Sequence, residues 1–521
     1  MRAKDFWRQL KKRKLIRVAL VYLFIALLAL LFGVFAFDWL GMPQWLATSL
    51  IVLGLLGLPV ALVLAWFYEI TPQGIRKDTT GHIESSNQYE DPVETTPSVA
   101  ILPFIDLSDT GAHSSYCEGL AEEILDALRK VPNIRVASRM TAFHLNSQNI
   151  NARDVGKKLN VQLELKGSVL KSEDKLRVEV ELVDTTDGTQ LWSHKFNKPL
   201  ESIFDIQEKI FNAITRTLQV PARFTDVVTP YEVSPKAYDL FLHGLSCFAK
   251  HTTQDNVYAR QLFKQTIDLE PGFGRAWAAL AYTYGYSYMY FNATDVNLVE
   301  AKRTSSQALR LAPDLAESHV SAGIAYCMNQ SYKKAEVEFE KAVELDPKNF
   351  RAWYFFGRAK VQEGDLERAL KLFDRASRVR PEDFQSVLLQ AQLYTSLGMG
   401  GEAMEVTRLG IKRVRAVLEL IPNDNRALNM GAFALLRLGQ VEEAKRWMLT
   451  SMKNAPMDSI IQYNGACFFS LAGEAQQALD CLENCLIKVG NISREWLEHD
   501  SDMDNIRHYP RYEQIIAHFP D

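Results

Sequence analysis

Two long uncharged stretches begin the chain, and amphipathic patterns follow them. Residues 18–37 (VALVYLFIALLALLFGVFAF) and 46–67 (LATSLIVLGLLGLPVALVLAWF) contain no charged side chain. Because an α-helix rises about 1.5 Å per residue, roughly twenty apolar residues cross the ~30 Å hydrocarbon layer of a bilayer. The pattern predicts a two-helix transmembrane hairpin in residues 1–70, which also carry a basic N-terminus, with lipid as a contact partner.

Charge on either side of these stretches predicts the orientation of the hairpin. Eight Lys and Arg residues precede the first stretch, whereas residues 38–45 contain neither residue type. Since positively charged flanks stay on the cytoplasmic side, both termini are expected there. The sequence therefore predicts an inner (plasma) membrane protein with two spans and cytoplasmic N- and C-termini.

A polar segment and a mixed helix–strand pattern come next. Residues 71–97 are rich in Ser, Thr and Asn and are interpreted as a flexible linker. In residues 98–225, helical spacing at 119–130 and 203–218 surrounds three strand-like runs at 161–170, 176–183 and 190–196. Polar gaps between these runs favour hairpins, so an α/β domain with an antiparallel meander is expected.

The residues of this domain resemble a known bacterial family. The segments SVAILPFIDLS and YCEGLAEEILDALRKVPNIRVASR are similar to a TolB-like (FlgO-like) domain, as is GSVLKSEDKLRVEVELVDTTDGTQLWSHKF. The resemblance implies a TolB N-terminal-like α/β fold, a bacterial source and a following array of tetratricopeptide repeats. It implies no catalytic residues, although in relatives this domain often accompanies an adenylate or guanylate cyclase.

A repeat of 34 residues runs through the remainder. The same interval separates Pro347 from Pro381, and it also separates Gly323 from Gly357. This period, with small Gly and Ala alternating with large residues, is the tetratricopeptide pattern. We expect about seven repeats over residues 237–490, forming an all-α solenoid, and a capping segment at 491–521.

Composition and motifs argue against catalysis and nucleic-acid binding. The net charge of −4 does not provide a concentrated basic surface. No phosphate-binding glycine loop or hydrolase motif occurs, so no cofactor is expected and the protein is predicted not to be an enzyme. Three groups of possible metal ligands are more readily explained by packing, and no metal is expected: His243, Cys247 and His251; Asp500, Asp502 and Asp504; Cys481 and Cys485.

The inner surface of the repeats is the candidate site. In the repeat frame, the first helix of each pair faces inward and presents Arg and Tyr side chains, which suit partner binding. The nominated groove residues are Tyr282, Tyr286, Arg351, Tyr354, Arg358, Arg426, Phe433 and Arg437. Ordinary solvated surface remains the alternative interpretation for the arginines.

These features predict a membrane-anchored, non-catalytic repeat scaffold or signalling adaptor. Its partner would be a protein or peptide in the repeat groove, at the bacterial inner membrane. The alternative is a nucleotide-sensing or cyclase-related regulatory protein that lacks its own effector module.

Overall fold

The computed structural model describes residues 68–71, 74–77 and 96–519. Within the last range there are short gaps at 110, 112, 147–149, 173–174, 200–202, 228–232, 251, 292, 457 and 488–493. The chain divides into two units, Met1–Glu94 and Thr95–Asp521. In the first unit, strands β1 (Tyr68–Thr71) and β2 (Gly74–Lys77) form an antiparallel pair, with Tyr68 opposite Lys77.

The assignment of the protein to the inner membrane with two spans is corrected. The nominated spans, residues 18–37 and 46–67, lie outside the described residues. Among the residues that are described, no helix is both long enough and apolar enough to cross a bilayer. The described helix Gly400–Leu420 has 21 residues, but charged side chains occur throughout its sequence. A transmembrane span needs about twenty consecutive apolar residues. The predicted fold class was therefore wrong in its transmembrane part.

The second unit begins with a mixed sheet, here called the sheet domain (residues 96–227). Its strand order is β5-β3-β6-β7-β8, and β4 also pairs with β6. Strand β3 is parallel to β5 and β6, whereas β6, β7 and β8 form an antiparallel meander. The strands are β3 (Ser98–Ile101), β4 (Ile105–Asp106), β5 (Arg135–Val136), β6 (Leu163–Lys171), β7 (Lys175–Asp184) and β8 (Gln190–Pro199).

In the described residues, five helices complete the sheet domain and cover both faces of β3, since Val99 and Ile101 belong to one hydrophobic cluster and Ala100 and Leu102 to another. Along β7, the apolar residues Leu176, Val178, Val180 and Leu182 alternate with polar ones and are fully buried. This period of two places all four side chains on the same face of the sheet. The helices are α1 (Ser114–Lys130), α2 (Arg139–Asn146), α3 (Ala152–Leu159), α4 (Ile203–Thr217) and α5 (Phe224–Val227).

In the part of the chain that the structure describes, seven antiparallel helix pairs follow the sheet domain. Repeats 1 to 3 are α6 (Pro235–Phe248) with α7 (Thr253–Leu269), α8 (Gly274–Tyr290) with α9 (Asp295–Leu311), and α10 (Ala316–Met328) with α11 (Tyr332–Leu345). Repeats 4 and 5 are α12 (Phe350–Glu363) with α13 (Leu366–Val379), and α14 (Gln385–Ser396) with α15 (Gly400–Leu420). Repeats 6 and 7 are α16 (Asn425–Arg437) with α17 (Val441–Asn454), and α18 (Ser459–Leu471) with α19 (Ala475–Ile487).

Glycine lets the two helices of a pair approach closely. A Cβ at Gly323 would lie 2.7 Å from the ring of Phe339, and one at Gly357 would lie 2.9 Å from the ring of Phe373. Both rings are fully buried. Each phenylalanine therefore packs directly onto the backbone of the facing helix, which explains the small-and-large pattern in the sequence.

The sheet domain packs against the repeats through helix α1. A Cβ at Gly119 would lie 2.7 Å from the Leu242 carbonyl oxygen of α6, so the two backbones are in close contact. Farther along α1, Glu123 accepts two hydrogen bonds from Arg275 of α8, at 2.5 and 2.9 Å. Beyond the end of α1, the Lys348 ammonium donates to the Val131 carbonyl. The sheet domain thus contacts repeats 1, 2 and 4, and it also contacts repeat 5, where Leu420 packs against the cluster that contains Leu145.

The described residues form two large hydrophobic cores and a smaller cluster around Ala100 and Leu145 of the sheet domain. The first large core joins the sheet domain to repeats 1 to 4 and reaches Leu393 in the first helix of repeat 5. The second extends from Phe384 to Phe519 and includes the short terminal helices α20 (Arg494–His499) and α21 (Pro510–Ile516). Leu497 and Ile515 of these helices are buried against repeat 7.

Candidate binding surface of the repeats

The first helices of repeats 2, 4 and 6 bring five of the described side chains together. Here this group is called the arginine–tyrosine cluster; it comprises Tyr286 and Tyr290 of α8, Tyr354 and Arg358 of α12, and Arg426 of α16. Arg426 and Tyr286 are 140 residues apart in the chain but in contact. The curvature of the solenoid therefore closes its inner surface enough for alternate repeats to meet.

Tyr290 lies between two guanidinium groups. Arg358 donates a hydrogen bond from Nη1 to the Tyr290 hydroxyl oxygen. The guanidinium carbon of Arg426 lies 4.3 Å from the centroid of the Tyr290 ring, and that of Arg358 lies 5.2 Å from it. Arg426 also donates from Nη1 to the Tyr286 hydroxyl at 3.5 Å. Both cations are thus held against aromatic rings rather than against carboxylates.

The charge balance of the cluster is unusual. Burial raises the pKa of Tyr290, but the positive charges of Arg358 and Arg426 outweigh this effect, so its pKa falls below the ordinary value. Burial raises the pKa of Tyr286 and Tyr354. Among the described residues, no carboxylate oxygen lies within 4.0 Å of a guanidinium nitrogen of Arg358 or Arg426. The cluster therefore carries excess positive charge.

Tyr282 and Arg351 belong to the contact with the sheet domain. The Arg351 guanidinium lies 4.7 Å from the centroid of the Tyr282 ring. Burial lowers the pKa of Arg351, but Tyr282 and the carboxylates of Asp126 and Glu122 in α1 outweigh it and raise the pKa. Tyr282 itself is only 9% exposed, because its ring packs against Phe248 and Phe355. This pair is therefore largely covered by the protein itself.

Phe433 packs against the second core, and Arg437 follows it one turn later on α16. The Phe433 ring meets that of Phe468 edge-on, with centroids 5.8 Å apart. Burial lowers the pKa of Arg437, while the Asp502 carboxylate opposes this change. Both side chains remain half-buried and accessible from the surface of repeat 6.

Tyr290 is the important residue that the sequence analysis did not nominate. The tyrosines at 282, 286 and 290 are spaced at i, i+4 and i+8, which places them on one face of α8. Their rings follow one another, with centroids 6.3 Å apart between Tyr282 and Tyr286 and 4.5 Å apart between Tyr286 and Tyr290. The helical spacing was thus a usable signal, although alternating tyrosines at 284 and 288 obscure it.

A second group of polar side chains lies near the C-terminus. Ligand atoms of Cys467, Asp500 and Asp502 lie within 4.8 Å of one another. However, one oxygen of Asp500 accepts the backbone N–H of Asp502 at 2.9 Å, and the other accepts the Tyr463 hydroxyl. The Asp500 carboxylate therefore already has the role of a cap on the 3₁₀ turn at Ser501–Met503.

Comparison with known proteins identifies the repeats. Residues 328–393 match the family model for the tetratricopeptide repeat. Putative adenylate cyclase 3 of Rhizobium meliloti (strain 1021) is 27% identical over 245 residues, which cover 46% of this chain and 42% of that protein. Superkiller protein 3 of Schizosaccharomyces pombe is 30% identical over 149 residues, which cover 28% of this chain and 10% of that protein.

Among solved structures, human IFIT1 bound to PPP-AAAA aligns with a TM-score of 0.41 and 14% identity, covering 54% of this chain and 65% of that one. The chain spans less than half the length of the two curated relatives named above. The prediction of tetratricopeptide repeats is confirmed, and the array is an interaction scaffold of that type.

Proposed function

We propose that the protein is a non-catalytic scaffold that recruits a protein partner through the inner surface of its repeats. The observation that carries this proposal is the display of cationic and aromatic side chains by the first helices of repeats 2, 4 and 6. Arg and aromatic residues supply most of the binding energy in typical protein interfaces, because they combine large apolar area with directional donors.

The nominated residues divide into buried residues that support the surface and half-buried residues that remain accessible. Tyr282, Tyr286 and Tyr354 are buried and support the surface from beneath. In contrast, Arg358, Arg426, Phe433 and Arg437 are half-buried and keep accessible area for a partner, whereas Arg351 is engaged with the sheet domain. Phe433 and Arg437 lie on α16, whose buried residues belong to the second core and not to the core shared with the sheet domain, and for that reason we propose that they make the first contacts with a partner.

A site-specific cross-link tests this surface. A photoreactive amino acid replaces Phe433 in the full chain, and the matched control replaces Val337, which is 62% exposed on the second helix of repeat 3. We expect one defined adduct from position 433 and none from position 337. The partner captured by the cross-link is then purified. Its affinity is measured for the wild type and for the double variant Phe433→Ala with Arg437→Glu.

We expect the double variant to bind that protein at least about tenfold more weakly, since truncating an interface anchor costs about 2 kcal/mol. The control Val337→Ala should bind as the wild type does. Equal labelling from the two positions, or equal affinity of the double variant, would rule out this surface.

The sheet domain has a supporting role in this proposal. We propose that it is a TolB-like (FlgO-like) domain that fixes the first repeats in place, and the contacts made by Glu123 and Gly119 support this role. The partial similarity to putative adenylate cyclase 3 supports the alternative of a cyclase-related regulatory protein. Calorimetry of the full chain with nucleotides tests the alternative, which is excluded if no heat is released at millimolar concentrations.

A further inference from the structure

Some of the buried cations in the described residues have a carboxylate partner. Arg275 binds Glu123 through two hydrogen bonds, and Arg139 lies 2.9 Å from Glu122. Lys360, on the same helix as Arg358, lies 2.8 Å from Glu336 and 2.6 Å from Glu363. Burying a charge is costly unless an opposite charge compensates for it, so these pairs are the expected solution.

Arg358 and Arg426 are not paired in this way. In the part of the chain that the structure describes, neither has a carboxylate oxygen within 4.0 Å. Burial lowers the pKa of both arginines, but the hydroxyls of Tyr290 and Tyr354, joined by Tyr286 at Arg426, outweigh this effect and raise it. Two guanidinium groups therefore converge on the phenol of Tyr290 without a directly paired carboxylate.

We propose that Arg358 and Arg426, together with the hydroxyls of Tyr286 and Tyr290, bind a tetrahedral oxyanion, namely inorganic phosphate or the phosphate group of a small molecule. Each guanidinium has five N–H donors, and one of those on Arg358 is used by Tyr290. Both arginines keep accessible surface, so an ion can reach the donors that remain.

The arrangement of donors favours phosphate over a carboxylate. A single arginine already satisfies the two oxygens of a planar carboxylate through parallel hydrogen bonds. Here the donors come from α8, α12 and α16, which belong to three different repeats and approach from different directions. Three or four oxygens in a tetrahedral group suit that arrangement better than two oxygens in a plane.

This inference goes beyond the proposed function, although both use Arg358 and Arg426. The partner surface is tested at Phe433 and Arg437, which do not belong to the arginine–tyrosine cluster. The cross-link at position 433 and the titration with phosphate are separate measurements, so failure of one proposal can be distinguished from failure of the other.

The test measures binding of inorganic phosphate to the full chain by calorimetry, with ionic strength held constant by sodium chloride. The variant Arg358→Gln with Arg426→Gln removes both guanidinium groups. The matched control, Arg368→Gln with Arg415→Gln, also removes two positive charges, but at surface arginines that pair with Glu340 and Glu443.

We expect the wild type and the control to bind phosphate with affinities within about twofold of each other. The cluster variant should bind about a hundredfold or more weakly, because each charge-assisted hydrogen bond contributes roughly a tenfold factor. If the cluster variant does not fold, Tyr290→Phe provides a milder change, and we expect it to weaken binding severalfold while the ring packing is kept.

Three results would overturn the proposal. The first is a wild type that binds no phosphate at about 10 mM, a concentration at which even a weak ligand stabilises its protein measurably. The second is a loss of affinity as large in the surface control as in the cluster variant. The third is acetate binding as tightly as phosphate at the same pH, which would assign the site to planar carboxylates.

Discussion

The first and second cores close the ends of the repeat array in different ways. At the N-terminal end, the sheet domain and repeats 1 to 4 share one continuous core, with a buried ion pair between Glu123 and Arg275 inside it. At the C-terminal end, repeats 5 to 7 are covered by two short helices that contribute apolar residues such as Leu497 and Ile515. Both solutions cover an apolar repeat face that would otherwise meet water.

The difference lies in how specific the two contacts are. A hydrophobic cover tolerates substitution when volume is conserved. The contact with the sheet domain instead depends on a charge pair, a glycine and a tyrosine that occupy fixed positions. The Tyr238 hydroxyl donates to Glu123 at 3.3 Å and accepts from the Gln207 amide at 3.0 Å. We call the sheet domain with repeats 1 to 4 the N-terminal body, and repeats 5 to 7 with the two terminal helices the C-terminal body. The stability of the N-terminal body should therefore be the more sensitive to single substitutions.

The largest expected effect comes from Glu123→Gln. This change removes the carboxylate charge that faces the Arg275 guanidinium, whose side chain is only 16% exposed. Removing one member of a buried ion pair costs about 3–5 kcal/mol, and urea denaturation of the full chain measures the loss.

The surface pair Arg303 and Glu300 is the matched control for that variant. We expect Glu300→Gln to cost less than about 1 kcal/mol, because exposed ion pairs contribute little. Similar losses in the two variants would show that the buried pair does not join the sheet domain to repeat 2 as described.

The next effect in size is expected at Gly119. A Cβ there would lie 2.7 Å from a carbonyl oxygen of Leu242, and backbone cannot move aside as a flexible side chain can. We expect Gly119→Ala to destabilise the N-terminal body by about 1–3 kcal/mol, measured by its urea midpoint. At Gly400 a Cβ would meet nothing within 4 Å, so Gly400→Ala should be neutral or slightly stabilising. A neutral Gly119→Ala would contradict the close contact of α1 and α6.

A smaller effect is expected from helix capping in the C-terminal body. Asp458 accepts the backbone N–H groups of Ile460 and Ile461, at 2.9 and 3.1 Å, and so caps helix α18. Asp458→Ala should cost about 1 kcal/mol and should increase hydrogen exchange in repeat 7 only. The matched cap in the N-terminal body is Thr252, whose hydroxyl oxygen accepts a hydrogen bond from the backbone N–H of Asp255 at 3.1 Å. Thr252→Ala should act on repeat 1 instead, and exchange that spreads from either site into the other body would contradict two separate cores.

The smallest effect is a dependence on pH in repeat 3. Burial lowers the pKa of His319, but hydrogen bonds to Glu338 and to the Pro313 carbonyl, each 2.7 Å long, outweigh it and raise the pKa above the ordinary value. A raised folded-state pKa stabilises the protein fully below the unfolded value of about 6.5, and this contribution is lost as pH rises through the folded-state pKa. The urea midpoint should therefore fall slightly across that window. His319→Gln should remove this slope, and an unchanged slope would assign it to other groups.

The repeats were predictable because their period is local. The glycines at 323 and 357 and the phenylalanines at 339 and 373 recur at one interval, and each ring packs on the glycine of its own pair. The meander was equally visible, because the alternation along β7 distinguishes its buried face from its exposed one. The transmembrane prediction relied on residues 18–37 and 46–67, which the structure does not describe, and no described helix has the character of a span.

The contacts between residues that are far apart in the sequence could not be predicted in the same way. Glu123 and Arg275 are 152 residues apart, and Tyr286 and Arg426 are 140 residues apart. No local pattern pairs such residues, because their distance depends on the accumulated curvature of several repeats. The sequence analysis nominated inward-facing side chains as candidates, but it had no means of knowing which of them meet or that Arg351 faces the acidic side of α1.

Peptide-resolved hydrogen exchange of the full chain, comparing the wild type with Glu123→Gln, tests most directly whether the sheet domain and the first repeats form one body. We expect exchange to increase together in residues 114–130 and in residues 235–311, while residues 425–519 stay as protected as before. An increase confined to residues 114–130 would contradict the account, because it would show that the sheet domain opens without disturbing the repeats.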